Sequence, residues 1–229
     1  MQITWLGHAA FHLQTSSDSL LLDPFWTGNP TFPEGAEAKI DKVDIIALTH
    51  GHEDHVGDTV RLAKKYGATV FAQPEICAWL GSQGVEKLEP MNIGGRLEQG
   101  GFSLAMVQAF HSSSLTENGR SIDMGDPAGF VIRGGGTSVY VAGDTGIFSD
   151  MALIQRIYEP RVGILPVGDR FTMGPELAAI ACNEFLNLDL VIPAHWGTFP
   201  LLHGDPHKLS GLVTRGRVQI PTPGEPIEV

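Results

Sequence analysis

The chain is poor in charge, in cysteine and in aromatic residues, and it has no long apolar run. Charged residues make up 18% and aromatic residues 8% of its 229 positions. The 2 cysteines, Cys77 and Cys182, are too few for a disulfide framework. They also lack the close Cys-x-x-Cys spacing of a thiolate metal site, and their apolar, helical-looking surroundings predict buried free thiols. No stretch approaches the roughly 18 apolar residues that a spanning helix needs. The opening Met1-Gln2-Ile3-Thr4-Trp5 has neither a basic nor an apolar leader region, so it does not read as a signal peptide, and a cytoplasmic location is the default expectation. Lys and Arg number 15 against 26 Asp and Glu, a formal charge of −11, with no basic cluster anywhere. That balance repels a phosphate backbone at long range and points to a small-molecule substrate rather than nucleic acid.

What is present is a globular composition: 42% hydrophobic residues, 28 glycines and 15 prolines. Ile3–Leu6, Ala10–Gln14 and Ser19–Leu22 read as short antiparallel strands at a sheet edge, with Asp23-Pro24 ending the third. Residues 24–40 read as a loop that could wall a pocket. Val43–Leu48 is a buried strand. Helices over 58–66 and from Pro74 alternate with a strand at 69–71, an α/β rhythm. Residues 85–107 read as a meander, and Ser112–Asp126 as a polar loop. Ala128–Arg133 and Thr137–Ala142 form an expected hairpin. Helices at 149–158, from Pro175 to about Leu186 and from Asp205-Pro206 alternate with strands at 162–166, 189–192 and 218–220, before a proline-rich tail. With no linker or repeat in view, residues 1–229 are expected to form a single domain of two sheets with helices outside.

The chain has 9 histidines, and His50, His52 and His55 fall together, with Asp54 beside the last. This group directly follows a buried strand. Packed without a partner, such donors lose hydration and repel one another when charged. A divalent cation cancels both penalties and binds neutral imidazole and carboxylate well. Further candidates sit where strands end: His111 after Leu104–Phe110, Asp144 after Val139–Gly143, and His195 after Val191–Ala194. Strand ends are where α/β proteins assemble sites.

Thr49-His50-Gly51-His52-Glu53-Asp54-His55 resembles the signature of the metallo-beta-lactamase-fold hydrolases, and His111, Gly143-Asp144 and His195 continue that pattern in order. The resemblance implies a four-layer αββα sandwich of α/β class. It implies two divalent ions, the first on His50, His52 and His111, the second on Asp54, His55 and His195, with Asp144 between them. Zinc suits a His/Asp set; manganese, iron, cobalt and nickel remain open. The implied chemistry is hydrolysis by a metal-bridging hydroxide acting on a small ester, lactone or phosphoester. The alternative within the superfamily is a phosphodiesterase or nuclease acting on nucleic acid or nucleotides. Thr4–His8, Leu22–Phe25, Pro166–Pro175 and His195–Pro200 are similar to the UPF0173 group, itself similar to the ascorbate-6-phosphate lactonase branch. Small hydrolases of this type often self-associate, so a homo-oligomer fits.

Other residues carry narrower expectations. Asp54 can bind metal and also orient the nucleophile. His8, after a strand and a glycine, is expected to face the metals and to donate to an oxyanion or a leaving group; a structural role is the competing reading. Asp23 is expected to orient a ligand imidazole, or simply to begin a turn. Arg170 is expected either to contact a substrate anion or to form a buried ion pair with Asp169 or another acid. Trp26, Phe32, Trp196 and Phe199 fit a pocket wall or the core equally. His12, His203 and His207 are assigned no metal role.

Overall fold

Alternation of inward and outward side chains shapes both halves of the chain. In a computed structural model describing residues 1–229, the first half builds β1 (Gln2–Trp5), β2 (Phe11–Gln14), β3 (Ser19–Leu22), β4 (Ile45–Ala47), β5 (Thr69–Ala72) and β6 (Leu88–Pro90). Between them lie α1 (Glu53–Val56), α2 (Thr59–Tyr66) and α3 (Pro74–Ser82). The second half builds β7 (Arg96–Gln99), β8 (Phe102–Gln108), β9 (Ser114–Glu117), β10 (Arg120–Asp123), β11 (Ala128–Gly134), β12 (Thr137–Val141), β13 (Val162–Pro166), β14 (Leu190–Ala194), β15 (Arg217–Val218) and β16 (Pro226–Glu228). Its helices are α4 (Met151–Tyr158), α5 (Pro175–Ile180) and α6 (Pro206–Leu212).

Two seven-stranded sheets result, ordered β16-β1-β2-β3-β4-β5-β6 and β15-β14-β13-β12-β11-β8-β7. Each is half antiparallel and half parallel. β16 through β3 alternate in direction while β3 to β6 run parallel. In the second sheet β7, β8, β11 and β12 alternate while β12 to β15 run parallel. The inner faces share one apolar core, in which Trp5, Phe11, Leu13 and Leu22 of the first sheet meet Phe102, Phe130, Val141 and Ile164 of the second. The outer face of the first sheet packs on Leu62, Ile76 and Leu80 of α2 and α3. That of the second packs on Met151, Ile154, Ala178 and Leu209 of α4, α5 and α6. These are the four layers of the expected αββα sandwich.

The structure corrects several local readings. β1 is not an edge, because the proline-rich tail returns as β16 and pairs Ile227 with Ile3. Residues 112–126 are not an irregular loop, since β9 and β10 form a hairpin within them. β6 joins the first sheet in parallel instead of belonging to a meander. The helix from Pro175 passes at Ala181 into a wider π-turn that ends at Phe185. Both cysteines are buried free thiols, and burial pushes Cys77 up to about 11 and Cys182 to about 12. No helix is long and apolar enough to cross a membrane.

Candidate metal centre

Strand ends from both sheets converge at one edge of the sandwich. His8 follows β1, Asp23 follows β3, and the histidine motif runs from the end of β4 into α1. From the second sheet come His111 after β8, Asp144 after β12 and His195 after β14. Close backbone approach makes this convergence possible. Gly143 has φ 65, and a Cβ there would sit 2.5 Å from the carbonyl oxygen of Ala128. Gly51 packs so tightly on Met124, just past β10, that no Cβ fits between them.

The two sheets are joined across the site by main chain. The His195 amide donates to the His8 carbonyl at 3.0 Å, and the Trp5 indole donates to the same oxygen at 2.8 Å. Trp5 stacks on Trp196 with centroids 5.2 Å apart. Of the pocket-wall aromatics, Trp196 thus borders the core, whereas Trp26 is buried under Phe32 in the 24–40 loop. Asp58 fixes that loop by accepting the amides of Trp26 and Thr27 and the Thr27 hydroxyl. The rings of Phe25 and Phe199 pack at steep angles to that of His8, with centroids 5.7 and 5.5 Å away.

Hydrogen bonds define which imidazole nitrogens face inward. Asp23 is buried, and its Oδ2 accepts from His55 Nδ1 at 2.9 Å and from Thr49 Oγ1 at 2.7 Å, while Oδ1 accepts the Thr49 amide at 2.8 Å. His55 Nε2 is left facing Asp144 Oδ1 at 3.5 Å. His50 Nδ1 donates to Thr49 Oγ1 at 3.0 Å, which turns its Nε2 toward His52 Nδ1 at 2.9 Å. His111 Nε2 and His195 Nε2 lie 3.6 and 3.0 Å from Asp144 Oδ2. Potential ligand atoms fall into three groups, each within 4.8 Å: His50, His52 and His111; His8, Asp54, His55 and His195; and His50, His55 and Asp144, which joins the two.

The electrostatics follow from burial and crowding. Burial holds His50 well below its ordinary value, and the neighbouring His55 adds to the effect. For His55 itself burial acts downward, yet Asp144 and Asp23 outweigh it and hold the imidazole protonated well above the usual range. Burial would raise Asp144, but His195 and His55 keep it ionised. Asp54 is likewise pulled below the carboxylate range, against its burial, by the hydrogen bond from His8 and the charge of His55.

Despite this crowding, His55 Nε2, Asp144 Oδ1 and both ring nitrogens of His195 are buried without a hydrogen-bond partner. Buried polar atoms are rarely left so, and imidazole nitrogens of two histidines gathered with a carboxylate oxygen are what a divalent cation satisfies. The residues present therefore fit metal.

All seven sequence-derived ligand candidates are brought together. His8 is closer to them than expected: its Nε2 donates to Asp54 Oδ2 at 3.0 Å, its ring lies 4.0 Å from that of His195, and burial lowers it to about 4. Since Nε2 carries the proton, Nδ1 accepts from Thr198 Oγ1 at 3.0 Å. Thr198 was not singled out from sequence, although it lies in the His195–Pro200 stretch; a lone threonine carries no signal of its own. Arg170 is not drawn into the cluster. It is exposed, its guanidinium lies over the adjacent Phe171 at 5.5 Å, and it makes none of the ion pairs expected of a buried arginine. Ser113 accepts the Gly51 amide at 3.1 Å, a structural contact for the serine run.

Comparison with known proteins agrees with this geometry. Residues 19–196 match the profile of the Beta-lactamase superfamily domain. The chain is 50% identical over 209 residues to a UPF0173 metal-dependent hydrolase of Sinorhizobium medicae, covering 90% of this chain and 89% of the relative. It is 52% identical over 206 residues to a UPF0173 metal-dependent hydrolase of Brucella canis, covering 88% and 86%. Its fold is similar to that of Igni18, a metallo hydrolase from the hyperthermophilic archaeon Ignicoccus hospitalis, with a TM-score of 0.86 and 34% identity over 99% of this chain and 97% of that one. Matches of this extent at both sequence and fold level mean that the chain belongs to the UPF0173 metal-dependent hydrolases of the beta-lactamase superfamily.

Proposed function

We propose that residues 1–229 act as one domain that holds two divalent ions, zinc by ligand type, and hydrolyses a small ester, lactone or phosphoester. The observation that carries this reading is the set of orphaned, mutually facing buried atoms on His55, Asp144 and His195. His50, His52 and His111 would hold one ion, Asp54, His55 and His195 the other, and Asp144 would lie between them, as the grouping of ligand atoms supports. Bound there, the ions supply an ionised water as nucleophile and positive charge for the developing oxyanion.

The protein's own residues do the rest. Asp23 fixes the proton of His55 on Nδ1, leaving Nε2 as the donor lone pair. Thr49 does the same for His50. Thr198 orients His8 so that its Nε2 proton points at Asp54. From there His8 can hold the Asp54 carboxylate in place, or pass its proton to a leaving oxygen when a substrate displaces that contact. Phe25 and Phe199 shield this side of the ring from water. The likeness to the ascorbate-6-phosphate lactonase branch favours a lactone among the candidate substrates. Arg170, exposed and free of ion pairs, is available to a substrate anion.

The test is a turnover screen of metal-reconstituted protein against lactones, thioesters, phosphodiesters and phosphomonoesters, with metal analysis and His52→Ala as control. Turnover of one class that is abolished in His52→Ala is the expected outcome. Stoichiometric metal without any turnover would remove the hydrolase reading, and full activity in His52→Ala would remove the site assignment.

A further inference from the structure

Beside the His50, His52 and His111 group the surface opens into a cavity of about 660 Å³, whose wall includes His111 and Ser112. Ser112 Oγ lies 3.3 Å from His52 Nε2, so the cavity is continuous with the candidate metal centre. Apart from Gly125 and Pro127 every residue lining it is polar, and none is lysine or arginine. Glu75, Asp123 and Asp126 contribute carboxylates, none of them ion-paired. Ser113, Ser114, Ser121 and Asn92 contribute neutral donors and acceptors.

One residue of the wall is unlike the others. Gln73, at the junction of β5 and α3, is 1% exposed, and its side-chain Nε2 is buried with no hydrogen-bond partner. A buried amide is rarely left unpaired, so Gln73 Nε2 calls for an acceptor that the chain itself does not supply. Gly125 lies against both Gln73 and Glu75, where a Cβ would collide with the Glu75 carboxylate, and its amide donates to Asp123 Oδ1 at 2.8 Å. Gln73, through its Cβ, and the carboxylates of Glu75 and Asp123 thus all border Gly125, one spot on the cavity wall.

Few chemical groups satisfy that spot. An apolar group finds no apolar wall to bury against. A phosphate or carboxylate meets three uncompensated acids in a chain of net charge −11. An ammonium suits the acids but offers no lone pair to the Gln73 amide. A hydroxyl donates to a carboxylate or serine and accepts from the amide, and it does so whichever way the amide is turned.

We propose that this cavity is the specificity pocket of the enzyme and takes an uncharged, polyhydroxylated portion of the substrate. The assignment as a substrate pocket rests on the hydrolase reading above; the affinity for a polyol does not, and the two are tested apart.

Binding is read on the metal-free chain by amide and side-chain NMR during titration with D-glucitol, D-glucitol 6-phosphate and 6-aminohexan-1-ol. D-Glucitol is expected to give saturable shifts at Gln73, Ser113, Ser121 and Gly125, and to bind more tightly than the phosphate or the amine. Gln73→Leu, and independently Asp123→Asn on the exposed hairpin, should each weaken it by about tenfold, the worth of one hydrogen bond. No saturable shift with D-glucitol, tighter binding of the phosphate or the amine, or undiminished binding in whichever variant folds would overturn the proposal. On the metal-loaded enzyme, the 4-nitrophenyl ester of a polyhydroxylated hexanoic acid should exceed plain hexanoate in kcat/KM; an equal or faster hexanoate counts against the pocket. If D-glucitol binds and no ester is cleaved, the hydrolase reading fails while the polyol site stands; the reverse pattern sinks only the polyol site.

Discussion

Asp23, just past β3, and His55, in α1, form a buried carboxylate–imidazole pair, 2.9 Å between Oδ2 and Nδ1. The same carboxylate takes both the amide and the hydroxyl of Thr49, so one side chain sets the orientation of the strand end and of the histidine behind it. Asp23 also adopts φ 42, a left-handed conformation that Asp and Asn tolerate better than most residues.

Asp23→Asn is therefore conformationally mild but gives the imidazole a much weaker acceptor. It is expected to lower metal affinity by about 10–100-fold, the range for loss of such an orienting contact, with the fold retained. Competition against a chromophoric chelator measures this. Unchanged affinity would leave Asp23 as a turn residue only.

The His8–Asp54 hydrogen bond yields a second expectation. His8 reaches within ligand distance of Asp54, His55 and His195, so geometry alone leaves it as either a ligand or a proton donor. Its Nε2 proton already belongs to Asp54, which favours the donor role. His8→Gln should then lower kcat by about 10²-fold or more while metal stoichiometry stays at the wild-type value. Loss of an ion in the variant would make His8 a ligand instead.

How far these features could be read in the sequence depends on whether a residue acts locally. The 49–55 motif, with His111, Asp144 and His195 each at a strand end, was legible because each donor sits beside its own apolar strand. β16 was not, since Pro226–Glu228 becomes a strand only by pairing with β1, and three residues after a run of prolines carry no pattern of their own. The β9–β10 hairpin left a signal that polarity obscured. Asn118-Gly119, at φ 53 and 74, is the two-residue turn that favours hairpins, flanked by Leu115 and Ile122 facing one another. Gln73 could not have been found, because a glutamine is conspicuous only once its amide is seen buried and unpaired.

Ion binding should be coupled to protons. In the ion-free arrangement His55 is held protonated between Asp144 and Asp23. A ligand imidazole must give up its Nε2 proton, so uptake of metal at pH 7 is expected to release about one proton from this residue. Calorimetric titration in two buffers of different ionisation enthalpy reads that number directly. The His55→Gln variant should lose both the release and most of the affinity. Removing metal with a chelator should correspondingly lower Tm, because the orphaned atoms of Asp144 and His195 lose the partner that satisfies them.

His12 gives a pH dependence separate from the metal centre. It lies on β2 with 4% of its surface exposed, its Nε2 2.7 Å from Ser19 Oγ, and burial lowers it to about 4. Its folded value thus lies below the unfolded value of 6.5, so the unfolded chain binds the proton more readily. The contribution of a neutral His12 is fully present above pH 6.5 and is lost as pH falls from there toward 4, to a total of about 3 kcal/mol. His12→Gln keeps a neutral hydrogen-bonding group across the whole range. Urea unfolding of both proteins between pH 7.5 and 4, with chelator present throughout, should show the wild type losing stability relative to the variant across that window. Parallel curves would mean that His12 is neutral or charged alike in both states, and that acid sensitivity arises entirely at the metal centre.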